Sequence, residues 1–339
     1  MARKLIGSIL HGAYGDLYEQ AICLKHYAAN HPEVELRLFA ATPTRLESFR
    51  ALDLSFAAGF DLWTEIEKHP DIERFFQFHV QDLELDRDVL SKLPAGVLAK
   101  FDLAHHYLPW IYLRENNLVP TPDRYQLPLS ESGSRELPNI ALKNGISDEI
   151  WRKPTINFLW RYRKPGLGTI SNFGQKSQEE LVRTYSTMFQ RIASEYDCHI
   201  LICGMNILTT DSNRELTDDK YPAFGLDLPV GRATYLKGLS WPLELEIASR
   251  ATICCGHASG FTEGLWLKRG RDMVLMDAPP HYLAKVLYRQ MPLFDLDRPL
   301  NLASAFLNRS IDVYRRRIES ILEKSTSEGF AKRSKESVQ

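Results

Sequence analysis

Residues 7–27, GSILHGAYGDLYEQAICLKHY, end an apolar run on two glycines, place a carboxylate directly after them and then take up helical spacing. The run at 5–10 reads as a buried strand. From Leu17 the apolar positions Leu17, Ala21, Leu24 and Ala28 recur at helical intervals, and His31-Pro32 stops the helix. ELRLFAA at 35–41 is the next strand. Strand, helix and strand in this order make a parallel pair joined by a right-handed crossover. In open sheets of that kind ligands sit beyond the carboxyl ends of the strands, where helix N-termini offer free N–H groups. Gly12 and Gly15 fall in that place, where glycine lets the chain turn tightly and lets a substrate come close. Asp16 falls at the N-cap or in the first turn, so it either caps the helix or presents a carboxylate to a ligand; this stretch alone leaves both readings open. GAYGDL lacks the third glycine of the dinucleotide fingerprint, and no Walker lysine follows it, which excludes both of those phosphate loops.

Working outward, a length of 339 residues favours two domains. Apolar residues at 44% and charged residues at 25% are the composition of an ordinary soluble globular chain. A net charge of −1 argues against broad electrostatic capture of nucleic acid. Cys23, Cys198, Cys203, Cys254 and Cys255 form no CxxC and no ligand-like pairing with histidine, so they read as reduced, packed thiols of a cytoplasmic protein. No run approaches the length of a membrane span, and the first ten residues do not have the form of a signal peptide.

Residues 62–76 read as helix, 82–88 as a charged solvated loop or helix face, and 101–107 as a strand. From 121 to 153 the texture changes, with Pro122, Pro128 and Pro138 among serine, glycine and charges, and this reads as a linker. The pattern then restarts. A strand is expected at 156–162, then the loop KPGLGTISNFG, a helix opened by Ser177 with Glu180 at capping-box spacing, and a strand at 199–203 that ends on Gly204. A helix at 241–250, a strand at 251–255, a helix at 261–267 and a strand at 272–276 complete the alternation. The expected class is α/β, two Rossmann-like domains facing across a cleft, spanning 1–150 and 151–310. The basic amphipathic helix at 311–324 is expected to pack back on the N-terminal domain, or alternatively to lie on the inner face of a membrane, and 325–339 to be a disordered tail.

The segment 238–279, GLSWPLELEIASRATICCGHASGFTEGLWLKRGRDMVLMDAP, runs as a short leucine-rich helix, a strand, a Ser-Gly loop, a helix and a strand. In that order it resembles the carboxyl-terminal domain of the ADP-heptose:lipopolysaccharide heptosyltransferases and related GT-B glycosyltransferases. Gly15-Asp16 matches the glycine turn of that family's first domain and Ser259-Gly260 its donor loop; the resemblance covers the architecture of most of the chain. Three positions depart from it. Ala258 stands where the family has an aspartate before Ser-Gly, Glu263 where it has a histidine three residues after the glycine, and His11 replaces a lysine-centred opening. The donor is therefore open between heptose and a different sugar nucleotide, with hexosyl, heptosyl and deoxyhexosyl transfer all compatible.

The resemblance implies an inverting transfer from a nucleotide-diphosphate sugar, with Asp16 as the base that takes the acceptor's proton. His11 is the second candidate, against a plain structural histidine at a strand end. Arg161 and Arg163 in WRYRK (160–164) alternate with aromatics, so an extended segment turns both to one side, where guanidinium groups can grip a diphosphate without a metal. Fucosyltransferases of the same fold are similar in placing basic residues there; a solvated strand end is the other reading. Ser259, Gly260, Phe261 and Thr262 would form an anion site at a helix start, with His257 beside it. Glu263 suits ribose hydroxyls, or is an ordinary first-turn acid, and Gly204 suits the rim of a base pocket. Asp86-Arg-Asp88 and Asp295-Leu-Asp297 have the metal-binding triplet of the other large glycosyltransferase fold, but neither follows a strand at the right place, and His105-His106 has no partner at ligand spacing. No metal or cofactor is expected. The acceptor would be a glycan, a lipid-linked molecule or a protein. The alternatives are a non-catalytic scaffold of the same fold that binds a nucleotide or glycan, and a nucleotide-sugar 2-epimerase.

Overall fold

The computed structural model describes residues 3–10, 14–75, 91, 93–100, 127–159, 178–203, 226–236, 239–257, 264–265, 268, 273–276 and 311–336. The chain forms two compact units. The first runs from Met1 to Glu136 and takes in Ser240–Leu243; the second runs from Leu137 to Leu239 and resumes at Glu244.

The first unit is a parallel sheet built by β1 (Lys4–Leu10), β2 (Val34–Ala40), β3 (Gly59–Leu62) and the short β4 (Arg74–Phe75), in the spatial order β3-β2-β1-β4. The last five residues of β1 are all buried, as a strand covered on both faces requires. Helix α1 (Tyr14–Asn30) joins β1 to β2, and α2 (Pro43–Phe49) joins β2 to β3. Every residue from Gly15 to Leu24 is buried, so α1 is enclosed rather than amphipathic over its first three turns. Helix α2 has a well-formed start: Arg45 N–H donates to Thr42 Oγ1 at 3.3 Å, and Pro43 takes the first helical position.

The helix expected over 62–76 is a correction. Only a short 3₁₀ helix forms, Trp63–Lys68, because Pro70 cannot continue a helix and the residue before it is pushed out of helical backbone. The chain then pairs with β1 through β4. The linker reading of 121–153 is corrected in the same way. Residues 131–143 form α4 (Glu131–Lys143) with Pro138 inside it, and α5 (Asp148–Trp151) follows after the short α3 (Ala95–Leu98) earlier in the chain. The residues that look like linker are used for close approach to α2. A Cβ at Gly133 would lie 2.5 Å from the Ala51 carbonyl oxygen, and Ser130 Oγ donates to the Arg50 carbonyl at 3.0 Å.

The second unit holds β5 (Thr155–Leu159), α6 (Gln178–Glu195), β6 (His199–Cys203), β7 (Ala233–Tyr235), α7 (Trp241–Ser249) from Glu244 on, β8 (Ile253–His257), β9 (Met273–Met276) and α8 (Ile311–Glu336). Its five strands are parallel in the order β7-β6-β5-β8-β9. One face carries the larger core, in which Phe158, Ile200, Ile202, Ile253 and Val274 meet Tyr185, Phe189 and Ile192 of α6. Sequence reasoning sent the C-terminal helix back to the N-terminal domain or to a membrane surface. Its apolar side, Tyr314, Ile318, Ile321 and Leu322, is instead packed into this core, and the Tyr196 hydroxyl donates to Glu323 Oε1 at 3.0 Å. α8 runs to Glu336. Among the described residues no helix is long and apolar enough to cross a membrane. All five cysteines are free and buried.

Candidate functional site

Both sheets run outward from a central first strand and then return to its other side, which creates a topological switch point in each. In sheets of this kind ligands bind beyond the carboxyl ends of the two strands at that point. In the first unit those strands are β1 and β4; in the second they are β5 and β8.

At the first switch point Asp16 is the third residue of α1, so it stands in the first turn and is not the N-cap. Its side chain is enclosed, 2% exposed. Gly15 lies inside α1 one residue earlier, not in the turn assigned to it from the sequence. His11 and Gly12 lie outside the described residues. The sequence reading missed Arg45, the third residue of α2. Burial pushes its guanidinium pKa down while the nearby Tyr14 and Asp16 pull it back up, so the Asp16 carboxylate and this cation act on one another. The signal for it was present in the Thr42-Pro43 cap, which places Arg45 at the same depth in its helix as Asp16. Around the start of α1 the Tyr14, Phe49 and Trp241 rings lie nearly parallel, with centroids 5.9 Å apart for Tyr14–Trp241 and 6.3 Å for Tyr14–Phe49. Trp241 here is one of the residues that belong to the first unit.

At the second switch point Leu159 closes β5 and is paired on one side with Cys203, the last residue of β6, and on the other with Gly256 of β8. Gly256 has φ 144°, and a Cβ there would lie 2.5 Å from the Leu159 carbonyl oxygen, so only glycine lets β8 approach β5 this closely. The strand expected over 251–255 is displaced by two residues, and His257 closes β8 rather than sitting in the loop after it. Arg161, Arg163, Gly204, Ser259, Gly260, Phe261, Thr262 and Glu263 lie outside the described residues, as do Asp86, Asp88, His105, His106, Asp295 and Asp297. The strand ends that feed the donor-side candidates are described, however. Segments beginning at 160, 204 and 258 leave from three adjacent strands within two residues of one level.

Beneath this edge sits a buried polar group with no counterpart in the sequence reading. Asn157, in the middle of β5, is fully buried, and among the described residues neither Oδ1 nor Nδ2 has a partner at hydrogen-bond geometry. It pairs across the sheet with Cys254, whose thiol donates to the Ala248 carbonyl of α7 at 3.4 Å, so both side chains lie on the α7 side. Burial and the Glu244 carboxylate hold the Cys203 thiol well above the usual range; Asn157 lies near enough to offset part of that push, without hydrogen-bond geometry. A single asparagine in the apolar run INFL carries no sequence signal of its own. An unpaired buried amide costs stability, so Asn157→Val is expected to raise the unfolding free energy by about 1 kcal/mol in urea denaturation. A fall in stability would mean that the carboxamide is satisfied in solution.

Among the described residues no group of three or more histidine, cysteine, aspartate or glutamate side chains could hold a metal ion. No protein-family model matches the sequence, and no curated protein matches it. Solved structures do match in fold. The glycosyl transferase family 9 structure from Veillonella parvula DSM 2008 superimposes with a TM-score of 0.58 at 10% identity, covering 96% of this chain and 98% of that one. The E. coli ADP-heptose LPS heptosyltransferase II does so with a TM-score of 0.58 at 11% identity, covering 95% and 99%. The chain thus has the two-Rossmann GT-B fold of these proteins over nearly its whole length.

Proposed function

We propose that the chain is a glycosyltransferase that moves a sugar from a nucleotide-diphosphate donor to a hydroxyl acceptor, with inversion and without a metal ion. The observation that supports it most is the alignment of Leu159, Cys203 and Gly256, because the segments that follow them carry the basic and anion-binding residues a diphosphate needs. In this reading Arg161 and Arg163 pair with the diphosphate oxygens, and His257, Ser259, Gly260, Phe261 and Thr262 supply further donors. Glu263 accepts from the ribose hydroxyls and Gly204 borders the base. The acceptor oxygen attacks the anomeric carbon as the bond to the diphosphate breaks. Its proton passes to the Asp16 carboxylate, and the electron pair leaves on the diphosphate, where the arginines meet it. Ala258 and Glu263, which differ from the heptosyltransferase pattern, favour a sugar other than heptose.

Calorimetric titration with ADP, GDP and UDP, followed by donor turnover in EDTA, tests this. One nucleoside diphosphate is expected to bind, and Arg161→Ala to weaken it by about 2 kcal/mol, the scale of a lost charge-assisted pair. Failure of all three to bind would sink the donor site. Binding with no release of nucleotide from any donor would assign the scaffold role, and conversion of the donor to an epimer would assign a 2-epimerase. Turnover that EDTA abolishes would overturn metal independence.

A further inference from the structure

Arg45 is the third residue of α2, and Tyr14 is the first of α1. The strands that precede these helices end side by side, Leu10 paired with Ala40. Both helix starts therefore stand at the carboxyl ends of the strands of the first sheet, where open α/β sheets take their ligands. The two helices also touch. The Tyr14 and Phe49 rings lie 6.3 Å apart, centroid to centroid, and Phe49 is one turn along α2 from Arg45. Helical side chains lean toward the N-terminus of their own helix, so Arg45 is carried past this ring contact toward the edge of the sheet.

No carboxylate of the described chain pairs with its charge. Arg50, on the exposed side beyond the same helix, pairs with Glu47 at 3.1 Å. Arg45 has no such neighbour, because Ala41, Thr42, Ser48 and Phe49 stand three and four residues away from it. Its backbone N–H is used by Thr42 Oγ1, but among the described residues nothing accepts a hydrogen bond from the guanidinium. Burial lowers its pKa, and Tyr14 and Asp16 nearby offset that only in part. A half-buried cation left in this state costs stability, which an anion at the guanidinium would recover. One turn on, along the same flank of α2, a second polar group is also unmatched. Ser48 is 6% exposed, and its buried hydroxyl has no hydrogen-bond partner among the described residues.

We propose that Arg45 binds an oxyanion at this edge of the first unit, a phosphate or carboxylate group gripped by the two-pronged guanidinium. The group is either an acid carried on a sugar acceptor or a free phosphate ion. The site stands apart from the proposed transfer: a chain that binds no nucleoside diphosphate would keep it.

Calorimetric titration with inorganic phosphate at constant ionic strength tests the site, in the Arg161→Ala chain so that the proposed donor site does not contribute. Adding Arg45→Gln is expected to weaken phosphate binding at least about tenfold, the loss of a charge-assisted contact. Arg45→Lys keeps the charge without the fork; it is expected to lose about threefold, and it supplies the reading should the glutamine variant not fold. No phosphate binding, or binding that is the same with and without Arg45→Gln, overturns the inference and leaves the donor site as it was. Glucose 6-phosphate and glucuronate, titrated in the same way, identify the source. Tighter binding of either than of phosphate, lost with Arg45→Gln, marks an acid on a sugar acceptor. Phosphate as the tightest of the three marks a free ion.

Discussion

Replacing Asp16 with asparagine is expected to lower the transfer rate by about 10²–10⁴-fold, the range for removing a general base, while nucleoside-diphosphate affinity stays within about twofold. Asparagine is the informative substitution because the site is enclosed. It keeps the volume and much of the polarity of a side chain that is 2% exposed, where alanine would open a hole in the start of α1. The amide cannot accept the proton, and that difference carries the prediction. Loss of the favourable charge in the first turn adds a stability cost of only about 0.3–1 kcal/mol. Release of nucleotide at saturating donor and acceptor measures the rate, and the thermal midpoint confirms the fold. Transfer at the parental rate would return Asp16 to a purely structural acid.

The second large effect is on stability. Gly256→Ala is expected to destabilise the second unit by about 3 kcal/mol or more. Two costs add here. The backbone at φ 144° is a conformation that side-chain-bearing residues rarely adopt, and the new methyl would meet the Leu159 carbonyl oxygen at 2.5 Å. Neither strand can step aside cheaply, since β8 is laddered to β9 on its other edge and β5 to β6. Prying β8 from β5 would also splay the strand ends that feed residues 160 and 258, so nucleotide binding is expected to fall together with stability. Urea unfolding followed by circular dichroism reads the first and calorimetry the second. An unchanged midpoint would show that the ladder tolerates the methyl.

The parts of the fold that were legible are those set by local periodicity. The first strand, α1 and β2 appear within a few residues of their expected limits, and the restart at β5 and β6 was equally plain. What escaped depends on distant partners. Gly133 and Ser130 look like linker until Ala51 and Arg50 lie against them. The apolar stripe of α8 says that a face is buried, not which sheet covers it. Residues 62–68 have helical spacing, but Pro70 limits them to a short 3₁₀ helix. At the site, Asp16 could be found because glycine and aspartate follow a strand. Arg45 is one basic residue among many in the sequence, and its relation to Tyr14 and Asp16 of α1 arises only in the folded chain.

The burial of all five thiols has a practical consequence. Burial holds Cys23, Cys203 and Cys255 well above the usual thiol range, so the reactive thiolate is scarce as well as shielded. Maleimide dyes should therefore find little to attack on the native chain. A cysteine introduced at Val230, which is fully exposed ahead of β7, would then carry a fluorophore alone, without first stripping the protein of its own sulfurs.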